Sequence, residues 1–447
     1  MLAASLGLAG CRSNFWDMTP IPADSNAATA AELAAILRRP DRELASLATI
    51  VLRNGEIVFE GYYGQRWIDA TGVAHRPATV DTLYRVASIS KWVTALGVLT
   101  LLAQARLDLD RDISSYLGVA VRNPNFPSQA ITLRMLLCHT SSLRDDAGYS
   151  FPEADDIRDV LLARGAFAGK RSVWSRDAAP GQAFAYCNLA SGVIATLIET
   201  VTGQRFDRFM QDAVFSPLGV QATFDPAHLP TSALQHVATL YRKRVERQGR
   251  EQWEPRGPWR PQVDDYEASP PVPRTSAAYV PGRNGSLLSP QGGLRIGARG
   301  LATLVQVVLN HGRHRGRLVF NGNWIDEMFR PQWQRGESAT AKGTETVSRS
   351  QAWGLGAQIF TDTFAHGRGD WLRAGGGLTA VGHLGDAYGL TSAVLMNRHE
   401  RCGVVFLSGG VGFDPATDTG RYSGFYRYEE LILDALWRVA RSETDAR

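Results

Sequence analysis

Ser88 and Lys91, in Tyr84-Arg85-Val86-Ala87-Ser88-Ile89-Ser90-Lys91, are spaced so that a hydroxyl and an amine meet on one face of a helix. A serine hydroxyl is a weak nucleophile at neutral pH and needs a base to take its proton. A lysine serves as that base only if burial lowers its pKa, and the apolar segment that follows, Trp92 to Leu107, supplies such surroundings. A serine N-cap followed by a surface lysine would give the same letters. The pair stands out because lysine is scarce: only Lys91, Lys170, Lys243 and Lys342 occur, against 44 arginines.

Two further groups could complete the chemistry. Tyr186-Cys187-Asn188 is the chain's single Tyr-x-Asn and stands just before a helical run, Leu189 to Thr202, where side chains can be aimed into a cleft. A tyrosine whose pKa is lowered by nearby positive charge can pass a proton to a leaving group, and an asparagine can hold both lysine and a substrate amide. His383-Leu384-Gly385 precedes a pair of predicted strands, so it could line a sheet edge, with Gly385 letting substrate approach the backbone. The backbone N–H of Asp386 with that of Ser88 would then form an oxyanion hole, where one donor is worth about 3 to 4 kcal/mol in comparable enzymes. His314-Arg315-Gly316 repeats the His-x-Gly pattern in a helix-to-strand connection and is set aside.

The elements that must position these residues are readable in outline. Ala27 to Arg39 reads as a helix stopped by Pro40, and Leu47 to Arg53 and Glu56 to Tyr63 flank an Asn54-Gly55 turn as a hairpin. Trp92 to Leu107 is apolar on most of its circumference and predicts a buried helix. Asp155 to Leu162, Leu189 to Thr202, Phe206 to Val214, Ala298 to Leu309 and Tyr428 to Val439 follow helical periodicity. Gly389 to Met396 and Gly403 to Leu407 read as strands around an Asn397-Arg398-His399-Glu400 turn. Between about Val245 and Ser289 lies a Pro-, Arg-, Trp- and Gly-rich stretch predicted as a long functional loop, in which Trp253, Trp259 and Tyr266 could line an acyl pocket. Strands near both ends with helices between them imply one sheet assembled from distant parts of the chain.

Composition excludes several function classes. With 44% hydrophobic and 21% charged residues in 447, the chain is globular. A net charge of +4 without a run of five basic residues argues against nucleic acid; Arg242-Lys243-Arg244 is the densest cluster. Four scattered cysteines give neither a disulfide framework nor a zinc motif, and His311 and His314 are a poor metal pair, so no metal or cofactor is expected. There is no Gly-x-Ser-x-Gly or His-Glu-x-x-His. Leu8-Ala9-Gly10-Cys11 resembles a bacterial lipobox, which makes Cys11 a candidate for lipidation and residues 12 to 26 a tether. The ten preceding residues are short and lack a basic start, which a start codon placed too late would explain.

Taken in order, Ser88-x-x-Lys91, Tyr186-x-Asn188 and His383-x-Gly385 resemble the class C β-lactamase group, which also contains family VIII esterases, D-aminopeptidases and DD-peptidases. Ile131 to Leu143, with Cys138-His139-Thr140-Ser141-Ser142-Leu143, Pro217-Leu218-Gly219 and Gly292-Gly293-Leu294-Arg295 resemble further segments of that group, so the likeness runs from about Ala45 to the C-terminal helix. It implies an α/β (α+β) β-lactamase/transpeptidase-like fold: an antiparallel sheet flanked by helices (27–85 with 290–447), a mostly helical region with a long active-site loop (86–289), and the site between them. It implies an acyl-enzyme mechanism with Ser88 as nucleophile, Lys91 and Tyr186 moving protons, and either of the two as base. Departures narrow the substrate: His383 and Leu384 replace the lysine and threonine of the β-lactamase Lys-Thr-Gly, and Cys187 replaces a small residue. The loss of the lysine and threonine disfavours β-lactam hydrolysis and favours esters or small amides. A D-amino-acid or peptidoglycan peptidase, a β-lactamase, and a catalytically idle penicillin-binding or sensor protein remain the alternatives. His139 is expected to brace the turn at Thr140 and Ser141. The expected partners are small-molecule esters, amides or peptides and, through Cys11, a membrane, in the periplasm or cell envelope; substrate and oligomeric state are open.

Overall fold

The computed structural model describes residues 23–69, 75–170, 172–336, 350–364 and 369–441; Cys11 and Lys342 lie outside them. The helices that matter for the site are α1 (Ala23–Leu37), α2 (Ile89–Ala103), α3 (Leu133–Leu137), α4 (Leu189–Thr202), α5 (Ala298–Leu309) and α6 (Arg427–Arg441). The principal strands are β1 (Ser46–Arg53), β2 (Glu56–Ile68), β3 (His75–Pro77), β4 (Trp333–Gln334), β5 (Ala352–Trp353), β6 (Gln358–Phe360), β7 (Ala380–Ala387), β8 (Leu390–Asn397) and β9 (Cys402–Ser408).

Asn54 and Gly55 adopt φ of 53° and 82°, the left-handed pair that a two-residue hairpin turn requires. The turn sets β1 against β2, with Arg53 opposite Glu56. β1 is buried along nearly its whole length because β9 pairs on its other side, Ile50 opposite Val405. The sheet thus unites the first and last parts of the chain. Its order is β4-β5-β6-β7-β8-β9-β1-β2-β3, nine strands, every pairing antiparallel. No described strand between 86 and 289 joins it.

Alternation along β1 and β9 sends side chains to two cores. Leu47, Val51, Val404 and Phe406 pack with Leu33 of α1 and Trp437 of α6. Ile50, Leu52 and Val405 point the other way, toward Trp92 of α2 and Leu301 and Val305 of α5. α2 is apolar all round and sits between the sheet and α4; only Thr100 and Ala103 of its fifteen residues escape burial.

Three expectations need correction. His383-Leu384-Gly385 precedes the predicted strand pair but is itself part of a strand, β7, whose register sets Gly385 opposite Ser392. The stretch 245–289 is not one loop: Arg244–Arg247 and Arg250–Trp253 form a hairpin, and Arg260–Val263 pairs with Leu240–Arg242. The helix predicted at Phe206 to Val214 is α-helical only to Met210 and widens into a π-turn over Gln211–Phe215.

Candidate active site

Ala87 takes φ 48°, a left-handed turn unusual for a side-chain-bearing residue, and delivers Ser88 to the first position of α2. Ser90 holds that turn, donating to the Ala87 carbonyl at 2.6 Å and accepting from the Leu294 N–H at 3.1 Å. Ser88 stays partly exposed while its neighbours are buried, and its backbone N–H belongs to the unsatisfied helix N-terminus.

Lys91, one turn on, is 5% exposed. Its Nζ lies 3.0 Å from Ser88 Oγ, 2.8 Å from Asn188 Oδ1 and 2.9 Å from the Gln291 carbonyl oxygen. Burial lowers its pKa to about 7, with Asp145 partly opposing the shift. A neutral amine has two N–H groups and one lone pair. The two carbonyl oxygens accept the two N–H groups, leaving the lone pair for the Ser88 hydroxyl.

Asn188 is fixed by a carboxylate that the sequence did not single out. Asp145 Oδ2 accepts from Asn188 N and Nδ2, both at 2.9 Å, and Oδ1 accepts from Leu189 N at 2.9 Å and Cys187 Sγ at 3.3 Å. It thereby orients the amide whose oxygen receives Lys91. Cys187 is buried with its thiol pKa raised, chiefly by burial, so it serves as packing. Tyr186 lays its ring 4.8 Å from Lys91 Nζ, and its buried Oη faces Ser88 without a bond of normal geometry. The expected lowering of the tyrosine pKa does not occur: burial pushes it up, and neighbouring Asp145 adds to this.

His139 acts at greater range than the turn it was expected to brace. Its Nδ1 accepts from Cys187 N at 3.2 Å, its carbonyl accepts from Ala185 N at 2.8 Å, and its ring lies 4.5 Å from that of Tyr186 and 5.0 Å from that of Trp353. The segment after α3 is thus clamped along the strand-like approach to Tyr186.

On the sheet side, β6 pairs with β7 only over Ala380 to Gly382, so residues 383 to 387 have no partner strand on that edge among the described residues. His383 and Gly385 share the face turned to α2, whereas Leu384 packs with α1 and α6. Gly385 is needed for a reason other than substrate approach: a Cβ there would stand 2.5 Å from the Val86 carbonyl oxygen and would strike Ser392 Oγ. The missing side chain lets β7 lie against the turn that carries Ser88. His383 is 2% exposed, donates from Nδ1 to the Leu384 carbonyl at 2.6 Å, and leaves Nε2 buried without a hydrogen-bond partner among the described residues. Burial, aided by the charge of Lys91, lowers its pKa to about 3, so the ring is neutral. Asp386 is exposed at the open end of β7. His314 sits in a separate hairpin with Arg317, and the described residues hold no group of His, Cys, Asp and Glu suited to a metal. Trp253 packs on Arg244, and Trp259 lines a cavity of about 520 Å³ with Leu37, Leu44 and Tyr63, away from Ser88.

Residues 26–424 match the family profile described as Beta-lactamase. The chain belongs to the Beta-lactamase family. Among curated members it is similar to Penicillin-binding protein 4* of Bacillus subtilis (strain 168), 29% identical over 39% of this chain and 36% of that one. It is also similar to Esterase EstB of Burkholderia gladioli, 32% identical over 44% and 51%. The matched region thus spans about a third to a half of the curated relatives' length. The β-lactamase/transpeptidase-like fold is also that of a D-amino acid amidase from Ochrobactrum anthropi SV3 complexed with L-phenylalanine (TM-score 0.63, 17% identity, 94% and 99% covered). It is shared with EstCE1, described as a hydrolase with promiscuous acyltransferase activity (TM-score 0.60, 17% identity, 92% and 98% covered).

Asp145, Gln291 and Trp353 are the residues that motif reading missed in this Beta-lactamase family member. Gln291 acts through its carbonyl, which side-chain identity does not report. Asp145 follows the recognised Thr140-Ser141-Ser142-Leu143 segment by two residues, and that proximity was the one available hint.

Proposed function

We propose that the protein is a serine hydrolase that cleaves esters or small amides through an acyl-enzyme. The observation that carries this reading is the Lys91 amine, buried, 3.0 Å from Ser88 Oγ, with its N–H groups directed to Asn188 and Gln291. Lys91 accepts the Ser88 proton as Oγ bonds to the substrate carbonyl carbon. The negative charge that develops on the carbonyl oxygen faces the N–H groups of Ser88 and Asp386. Tyr186 Oη, still protonated because burial raises its pKa, passes a proton to the leaving oxygen or nitrogen and is reloaded from Lys91. Water then attacks the acyl-enzyme ester while Lys91 takes its proton, the bond to Ser88 Oγ breaks, and Lys91 returns the proton to Oγ as the acid leaves. His383, neutral and buried, walls the cleft and carries no proton in this scheme. The family relatives named as an esterase and a hydrolase support ester cleavage.

Hydrolysis of a short-chain nitrophenyl ester by the intact protein, its loss in Ser88→Ala, and a fluorophosphonate adduct on Ser88 in the intact mass test this reading. Turnover unchanged in Ser88→Ala, with no adduct, sinks it, and no turnover by either protein with no adduct leaves a catalytically idle protein. A second reading, cleavage of D-amino-acid amides or peptidoglycan peptides, draws on the penicillin-binding relatives and the amidase neighbour. Turnover of D-alanyl peptides above that of esters, or lasting acylation by fluorescent penicillin, would favour it. We further propose a cell-envelope location with a lipid on Cys11, supported by the Leu8-Ala9-Gly10-Cys11 motif. Membrane fractionation of Cys11→Ser against the natural chain tests it, and an unchanged distribution argues against the anchor.

A further inference from the structure

Three arginines, Arg85, Arg274 and Arg295, line one cavity beside the turn that carries Ser88, together with Asp264 and Asp265. Arg295 and Asp264, both side chains 2% exposed, form a two-pronged ion pair at 2.6 and 2.9 Å, which occupies the Asp264 carboxylate. Arg85 and Arg274 line a cavity of about 470 Å³ alongside this pair, and among the described residues no carboxylate lies within ion-pair distance of either guanidinium. Arg85 is 9% exposed; its Nε donates to the Gly292 carbonyl at 3.0 Å, and its two outer nitrogens have no hydrogen-bond partner among the described residues. Arg274 reaches Ser289 Oγ at 2.7 Å through one nitrogen only. Burial, and then the charge of Arg295, lowers the Arg85 pKa to about 10. Arg85 is nearly buried and Arg274 half-buried, and Asp264, with Asp225 for Arg274, opposes their charges only from beyond ion-pair distance, so desolvating the two cations is costly and a bound anion lowers that cost.

Arg85 also has a defined place relative to the reacting atoms. Gly292, which receives it, follows Gln291, the residue whose carbonyl holds the Lys91 amine, and packs against Ala87. On its other side the guanidinium lies 4.7 Å from the ring of Tyr388, two residues beyond Asp386. Val263, Pro270, Pro271 and Val272 give the cavity an apolar part, and Asp265 and Tyr266 line it as well. We propose that Arg85 and Arg274 hold a carboxylate borne by the substrate, so that the hydrolase acts on esters or amides that carry a carboxylate on a short apolar chain. This rests on the serine hydrolase reading above, and planar guanidinium recognition of a carboxylate is its physical basis.

Two measurements on the intact protein test it. The first is the ratio of kcat/KM for a nitrophenyl hemiglutarate to that for nitrophenyl butyrate. It should exceed 1 by about ten- to hundredfold in the natural chain, fall about tenfold or more in Arg274→Gln and in Arg85→Gln, and survive only in part in Arg274→Lys, which keeps the charge but not the planar fork. A ratio near 1, or one the substitutions do not move, overturns the proposal while leaving the hydrolase reading intact. The second is calorimetric binding of the unhydrolysed hemiglutarate ester to Ser88→Ala, which needs no turnover. Weakening of about tenfold on adding Arg274→Gln supports the carboxylate site even if neither ester is cleaved, and unchanged affinity overturns it. Free glutarate and inorganic phosphate are expected to compete with the ester. Phosphate binding that depends on both arginines yet leaves ester affinity unaltered makes this a separate anion site and overturns the substrate assignment.

Discussion

Lys91 combines burial with the lack of any carboxylate within ion-pair distance among the described residues, and that combination brings its pKa to about 7. A lysine in the base role must be neutral, so kcat/KM for an ester should rise with pH, about tenfold per unit below 7, and level off above it. Lys91→Ala should lose about 10² to 10⁴ in kcat/KM and flatten the profile between pH 5 and 9. A profile that instead keeps rising above pH 10 would move the base role to Tyr186, whose pKa burial raises. Asp145 works one contact further out, so its removal has a different signature. In Asp145→Ala the N–H groups of Asn188 and Leu189 lose their acceptor, and unfolding free energy should drop by about 1 to 3 kcal/mol in a urea titration. kcat should fall about ten- to hundredfold with a smaller change in KM, because the lysine is left misaligned rather than absent. Asp145→Asn, which keeps one acceptor oxygen, should recover part of both losses.

At the scale of elements, the site depends on β7 lying against the start of α2, and Gly385 permits the approach. Gly385→Ala sets a methyl against the Val86 carbonyl and Ser392, so the strand and the Ala87 turn must separate. The expected cost is about 1 to 3 kcal/mol of stability, read as a lowered thermal midpoint, and about hundredfold in kcat from displaced oxyanion donors. Local chemistry made some elements legible in the sequence: the Asn54-Gly55 turn encodes its own hairpin, and the periodic run Leu189–Thr202 is a helix at those bounds. β7 was not legible as a strand. Gly382, Gly385 and Asp386 are poor strand formers, and only pairing with β8, itself buried throughout, makes them one. The stretch 245–289 misled for the opposite reason, since its prolines and glycines flank short strands paired with each other or with distant chain. Ser88, Lys91, Tyr186 and Asn188 could be named from type and spacing, whereas Asp145 acquires its role only when folding brings residues 187 to 189 to it. The direction of the Tyr186 pKa followed burial, a property of the assembled cleft.

For the molecule as a whole, the Asp264–Arg295 pair ties the segment after Arg260–Val263 to the short strand Arg295–Ile296, which pairs with Tyr84–Arg85 just before the nucleophile. Arg295 is almost fully buried, so Asp264→Ala leaves its charge uncompensated next to those of Arg85 and Arg274. Breaking a buried pair in this way costs about 3 to 5 kcal/mol, measurable as a loss of unfolding free energy in urea. Replacing both partners, as in Asp264→Leu with Arg295→Met, removes the stranded charge and should return most of that loss. The same pair sets a pH dependence. Arg295, opposing the burial penalty, holds the Asp264 pKa below its ordinary value. The pair's stabilisation is therefore fully present above the usual carboxylate range and lost as pH falls through the depressed value. Natural protein should accordingly lose stability below about pH 4 more steeply than the Leu/Met double variant, whose buried site has no proton to bind there. Parallel acid slopes for the two proteins would mean that other carboxylates govern acid unfolding and that this pair does not anchor the nucleophile turn to the rest of the fold.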